Sequence, residues 1–176
     1  MVNDTKENQI RNQLYSLDLQ SQFEFIANKF EKDLKNGQRN DPSYMGDPFL
    51  GKLLGLVSLR VACMFEGPTI QSVLGQGIEV VGAIIDGGKI PDGTSNMNSC
   101  YELLGELVSL TSIHNSKSIS TMESFFQKGS SRTPCQQYLD TLRNRGPEAL
   151  RSEVRQSTLG SVALFSTGPT PGKQWD

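Results

Sequence analysis

The sequence predicts an all-α protein, an irregular single-domain bundle of about six to seven helices with an extended C-terminal tail. Apolar residues in nearly every segment recur at the three- and four-residue spacing of a helix. A near-repeat is the second observation: residues 53–59 read LLGLVSL and residues 103–110 read LLGELVSL. Each copy carries a glycine where alanine would favour the helix by about 1 kcal/mol. We therefore expect both segments to be helices that pack closely against their neighbours.

The N-terminal segment, residues 5–36, is predicted as one amphipathic helix or a helix pair. Its apolar positions shift phase near residues 16–18, which indicates a kink or a short break. Asn36 and Gly37 form a typical helix stop, so a polar loop is expected after them.

The predicted core of the fold spans residues 48–165, inside a helical domain of residues 1–165. Asp47 is expected to cap its first helix, with Pro48 at the first helical position, and Thr69 to cap the second. The first helix is apolar on most faces, but Lys52 and Arg60 interrupt it. Since a membrane span needs about 20 mostly uncharged residues, we expect a buried central helix and no membrane span. The predicted helices are residues 48–66, 69–86, 95–113, 118–128, 133–145 and 147–165.

Residues 166–176 are rich in glycine and proline and are predicted to form a flexible tail. Trp175 is the only tryptophan of the chain and lies in this tail. Because tryptophan is enriched at interaction hot spots, Trp175 is a candidate interaction residue, with a chance residue in a mobile end as the alternative.

Charge is distributed unevenly along the chain. The formal net charge is −2, which excludes a basic field over the whole chain. Residues 132–176 hold six of the 17 Lys and Arg residues and four of the 19 Asp and Glu residues. Since the guanidinium fork fits phosphate, the arginines of this region are candidate phosphate or nucleic-acid contacts, with a solvated surface as the alternative. These arginines are Arg132, Arg143, Arg145, Arg151 and Arg155.

Residues suited to catalysis lack the context that catalysis requires. The single histidine, His114, is expected to lie at a helix C-terminus, where a cation interacts well with the helix dipole. Glu102 and Glu106 share a helix face, and we expect that face to be solvated. The pair Gly75 and Gly77 lacks the rest of a nucleotide-binding loop and indicates close helix packing.

Cysteine content and the N-terminal residues bear on location and cofactors. The three cysteines are far apart and match neither a disulfide framework nor a zinc site, and Cys63 and Cys100 are expected to be buried thiols. No apolar signal-peptide core opens the chain, so we expect a cytoplasmic, reducing environment and no cofactor.

The leading functional expectation is a non-enzymatic helical interaction or assembly protein, for which a viral structural or nucleocapsid-associated protein would fit. Its partner would be another protein or a second copy of this chain, with RNA as a further candidate. The first alternative is a nucleic-acid-binding module that uses the C-terminal arginines. The second is a small enzyme or ligand carrier with an interhelical pocket, which a deep, polar-lined pocket would favour.

Overall fold

The computed structural model describes residues 6–65, 67–88, 90–91, 93–111 and 115–166, and for residues 161–166 it describes the backbone alone. Within these residues the chain forms eight α-helices and no strand, so the expected all-α class is confirmed and the expected count of six to seven is too low. The helices are α1 (Lys6–Tyr15), α2 (Leu19–Asn40), α3 (Pro48–Met64), α4 (Pro68–Asp86), α5 (Ser95–Ser109), α6 (Ser116–Lys128), α7 (Thr133–Arg145) and α8 (Pro147–Ser166).

The extra helix comes from the break expected near residues 16–18. Asp18 separates α1 from α2, and its side chain accepts a hydrogen bond from the Ser21 backbone N–H at 2.8 Å. The N-terminal segment is therefore a helix pair and not one kinked helix, because this cap satisfies one of the free amides at the start of α2.

Several helix ends differ from the sequence-based expectation: α3 ends two residues earlier than expected, α5 ends four residues earlier, and α6 begins two residues earlier. The structure gives a physical reason for two further differences. Helix α2 continues through Gly37 to Asn40. Gly37 is needed there because the Tyr44 ring packs against it, and a Cβ at this position would overlap that ring. Helix α4 begins at Pro68 after Gly67, which has a φ of 126°, so Thr69 lies inside the helix and does not cap it. The expected cap at Asp47 is confirmed, since its side chain accepts from the Phe49 backbone N–H at 3.2 Å.

Helix α3 is the buried centre of the fold. It contacts α2, α4, α5 and α8, and residues from all eight helices contribute to one hydrophobic core. Cys63 and Cys100 are buried as expected, and so is Cys135. Within the described part of the chain, no helix is long and apolar enough to cross a bilayer.

The glycines of the near-repeat lie at close helix contacts, as the sequence predicts. A Cβ on Gly55 would lie 2.7 Å from a Val81 methyl of α4, and a Cβ on Gly105 would lie 2.5 Å from the Phe126 ring of α6. Gly77 is likewise close to Ser58, whereas Gly75 faces open space, so the packing expected at Gly75 is wrong.

Candidate ligand-binding cleft

A polar cleft of about 190 Å³ lies among helices α3, α5, α7 and α8. Apolar side chains line part of it, but most of the lining is charged or carries a hydroxyl group. This composition is unusual for the interior of a helical bundle, where polar groups need partners. The lining residues are Leu56, Leu59, Arg60, Glu102, Glu106, Arg132, Pro134, Tyr138, Ser157 and Thr158.

Glu106 is the buried carboxyl group of this cleft, and its position corrects the expectation of a solvated face. Only 8% of the residue is exposed, and Tyr138 donates a hydrogen bond from Oη to Glu106 Oε2 at 3.1 Å. Burial, followed by the like charge of Glu102, raises the pKa of Glu106 to about 8. Glu106 is therefore mostly protonated at neutral pH.

Arg60 brings a buried positive charge from α3 to the same cleft. It is 6% exposed, and burial lowers the pKa of its guanidinium to about 10. Tyr15 and Glu106 interact with it electrostatically. The guanidinium nevertheless stays charged across the physiological pH range, because its pKa lies well above 7.

A second charged pair closes the α7 side of the cleft. Arg132 Nε donates to Glu102 Oε1 at 2.6 Å, and this hydrogen bond raises the pKa of Arg132. Burial and the nearby Glu102 raise the pKa of the Cys135 thiol to about 12, so this cysteine stays protonated. The Arg132–Glu102 pair is partly buried and geometrically short, which is typical of a charge-assisted hydrogen bond.

Helix α8 contributes hydroxyl groups. Ser157 acts to lower the pKa of Tyr138 and Thr158 acts to lower the pKa of the Cys63 thiol, although burial raises the pKa of both groups overall. Thr158 is buried, whereas Ser157 is exposed and therefore lies where the cleft meets solvent. The cleft thus combines charged groups deep inside with hydroxyl groups on one helix.

A larger cleft of about 250 Å³ lies beside α1, with Arg11 5.2 Å above the centre of the Phe49 ring. Its charged residues, Glu7, Arg11 and Lys52, are half-buried or exposed. The smaller cleft is the better candidate, because its ionisable groups Arg60 and Glu106 are buried.

The five predicted arginines do not converge on one surface patch. Arg132 lies in the cleft at the start of α7, while Arg143 and Arg145 lie near the other end of that helix, about 18 Å away at 1.5 Å per residue. Arg143 Nε donates to Glu123 at 3.0 Å on the α6 side, and Arg145 is exposed.

Arg151 and Arg155 both contact the C-terminal ends of other helices. Arg155 Nη2 donates to the Cys63 carbonyl of α3 at 3.1 Å, and Arg151 donates to the Ser109 and Thr111 carbonyls at the end of α5 and just after it. Carbonyls at helix ends lack intrahelical partners, and cations there interact favourably with the dipole. These two arginines therefore attach α8 to the ends of α3 and α5.

Trp175 and His114 lie outside the described residues, as does the tail of residues 167–176. Arg132 is the one cleft residue that the sequence singles out as a site, and the sequence misses the buried groups Arg60, Glu106 and Tyr138. One sequence signal was present: Glu106 is the single charged residue in the apolar run 103–110 and the one residue that the first repeat copy lacks.

Comparison with protein-family models, with curated proteins and with solved structures gives no match for this chain.

Proposed function

We propose that this chain is a non-enzymatic helical protein that binds a small polar ligand in the cleft among α3, α5, α7 and α8. The observation that carries the proposal is that Arg60 and Glu106, both less than 10% exposed, line the same cleft. Desolvated charged groups are costly to a fold. Strongly shifted ionisable groups in a cleft are also more frequent at functional sites than elsewhere.

The size of the cleft limits the ligand. At about 190 Å³ it is smaller than the roughly 300–1,000 Å³ of pockets that take drug-sized molecules. A compound of a few heavy atoms fits it, whereas a nucleotide or a peptide does not. The hydroxyl groups of Tyr138, Ser157 and Thr158 offer both donors and acceptors to such a compound.

Thermal unfolding with a panel of three-carbon probes tests the proposal. Propionate, propionamide and propylamine share a size and differ in charge, and a bound probe raises the unfolding midpoint in proportion to RT ln(1 + [L]/Kd). We expect at least one probe to raise the midpoint in a saturable way.

Ser157→Leu provides a blocking variant with a matched control. Ser157 is exposed and lines the cleft, so leucine there should fill the entrance while leaving the core intact. Ser152→Leu makes the same change at an exposed α8 position outside the cleft. Loss of the probe effect in Ser157→Leu alone supports the cleft as the site, and an equal effect in both variants contradicts it.

Protein interaction or self-assembly is the second candidate function. Met64 and Phe65 are adjacent at the end of α3 and are 47% and 41% exposed, and such residues are enriched in interfaces. The double change Met64→Ser with Phe65→Ser should then lower the mass measured by light scattering. An unmodified protein that is monomeric at all concentrations would leave self-assembly without support.

The nucleic-acid alternative has less support from the arginines. Arg132, Arg143, Arg151 and Arg155 each donate to a carboxylate or a carbonyl of their own chain. A phosphate ligand would have to compete with these contacts. Salt-dependent binding of RNA, weakened by Arg143→Ala together with Arg155→Ala, would restore this alternative.

A further inference from the structure

The charges around Glu106 narrow the class of ligand that the cleft can take. The groups come from every helix packed against the site, and Tyr15 of α1 lies close enough to Arg60 to interact with it. The titratable and charged groups that act on Glu106 or on its partners are Arg60 and Cys63 of α3, Glu102 of α5, Arg132 at the N-cap of α7, Cys135 and Tyr138 of α7, and Arg155 of α8.

Two of these charges already compensate one another. Arg132 and Glu102 form the 2.6 Å hydrogen bond described above, so their charges cancel within the cleft. Arg155 donates to the Cys63 carbonyl on the α3 side. Arg155 keeps its charge but directs it at this carbonyl, and Arg60 stays charged, so Glu106 is the group whose ionisation changes near neutral pH. Because burial raises the pKa of Glu106 to about 8, the cleft carries the positive charge of Arg60 at neutral pH.

We infer that the ligand is a small carboxylate, held by the Arg60 guanidinium and by a hydrogen bond from the Glu106 carboxyl group, because both groups are buried in the lining of one small cleft. This inference rests on the proposed function. A guanidinium presents a fork of donors that matches the two oxygens of a carboxylate, and a protonated carboxyl group supplies one O–H donor. An ammonium ligand would instead meet the like charge of Arg60 in a site where desolvation strengthens repulsion.

Binding of a carboxylate is then linked to the proton on Glu106. Below the pKa of Glu106 the donor is already present, and no proton moves on binding. Above it, Glu106 is ionised and must take up a proton before the anion binds. The affinity for a carboxylate should therefore fall with rising pH, by up to about tenfold per pH unit.

Isothermal titration calorimetry of the full chain with propionate at pH 6, 7 and 9 tests the inference. We expect similar affinity at pH 6 and 7 and weaker binding at pH 9. Repeating the titration at pH 9 in buffers of different ionisation enthalpy should report uptake of about one proton per bound propionate. Affinity that is unchanged at pH 9 would contradict the role of Glu106.

Three variants distinguish the role of Arg60 in propionate binding from that of Glu106. Glu106→Gln keeps a neutral donor and should bind propionate with the same affinity at all three pH values. Arg60→Met removes the charge and should abolish binding, while Arg60→Lys keeps the charge without the fork and should weaken binding about tenfold, one lost hydrogen bond of about 1.4 kcal/mol. Arg39→Met removes an exposed arginine of α2 outside the cleft and should bind as the unmodified protein does. If Arg60→Met does not fold, the pH profile and Glu106→Gln still decide the inference.

The probes distinguish failure of the inference from failure of the proposed function. Binding of propylamine or propionamide in preference to propionate would overturn the inference and leave a ligand-binding cleft. Binding of none of the three probes would overturn both. Propionate binding that persists unchanged in Arg60→Met would also overturn the inference.

Discussion

The two copies of the near-repeat differ by one residue, and that residue is the buried carboxyl group of the cleft. In α3 the glycine Gly55 is followed by an apolar residue, whereas in α5 Gly105 is followed by Glu106. Both glycines lie at close helix contacts, so the first halves of the copies have the same role in the packing. The difference shows that a core helix of this fold accommodates an ionisable group where a neighbouring helix, here α7, supplies Tyr138 as a partner.

The inserted residue also changes the orientation of the later residues of α5. One extra residue rotates the rest of the segment by about 100° around the helix axis. Val57 in the first copy is fully buried, while its counterpart Val108 in the second copy is only half-buried. Val108 is therefore less buried than its counterpart because the inserted residue turns it away from the core.

The largest loss of stability is expected at the leucines that the two copies share. Leu54 and Leu104 precede the two glycines and are no more than 2% exposed. Replacing either with alanine should lower the free energy of unfolding by about 2–5 kcal/mol, the usual cost of a core leucine. Urea denaturation measures both losses. A loss below about 0.5 kcal/mol in one of them, the range of surface changes, would break the equivalence of the copies.

The glycines give the next largest effect. Gly55→Ala and Gly105→Ala should each cost about 1–3 kcal/mol, because the added methyl group meets Val81 or the Phe126 ring. Gly75→Ala is the matched control on α4, where the added methyl group meets open space. It should stabilise the helix by up to about 1 kcal/mol. Similar changes in unfolding free energy at Gly105 and Gly75 would argue against the close contact.

Glu106 should make the stability of the protein depend on pH. Its pKa is about 8 in the folded chain against an ordinary value of 4.5, so the folded state holds a proton that the unfolded state has lost between these values. The stability is fully present below pH 4.5 and falls as the pH rises towards 8, by up to about 1.4 kcal/mol per pH unit.

Glu106→Gln should remove this slope, and Glu79→Gln, at an exposed position on α4, should retain it. Urea denaturation at several pH values measures the difference between the variants. A slope of the same size in Glu106→Gln would assign the pH dependence to other groups.

The smallest expected difference in stability is between alanine variants of Val57 and Val108. Val57→Ala should cost more than Val108→Ala by about 0.8 kcal/mol, the value of one buried methylene group, since Val108 is already partly exposed. Equal costs would mean that the rotation caused by Glu106 does not change the burial of the residues after it.

Much of the fold is predictable from the sequence because its signals are local. The periodicity locates the helices, and Asp47 with Pro48 marks the start of α3. The end of α2 is not predictable in this way, because Gly37 is required by the Tyr44 ring, a contact with the loop after the helix. Such contacts depend on tertiary packing and leave no local pattern.

The cleft is harder to predict than the helices. The spacing of Glu102 and Glu106 is the same on a solvated face and on a buried one, so spacing does not distinguish them. The burial of Glu106 depends on tertiary packing: α7 brings Tyr138 to it, and α8 brings Thr158 to the same cleft, both from distant parts of the sequence. The charged residue inserted into an apolar repeat was the one signal in the sequence, and it becomes informative once the copies are compared.

Whether Glu106 is buried can be measured by carbon-13 NMR titration of its side-chain carboxyl group, assigned by its absence in Glu106→Gln. We expect an apparent midpoint near pH 8, because the group is buried beside Glu102. A midpoint near the ordinary value of 4.5 would show that Glu106 is solvated, and would contradict the buried carboxyl group on which the cleft depends.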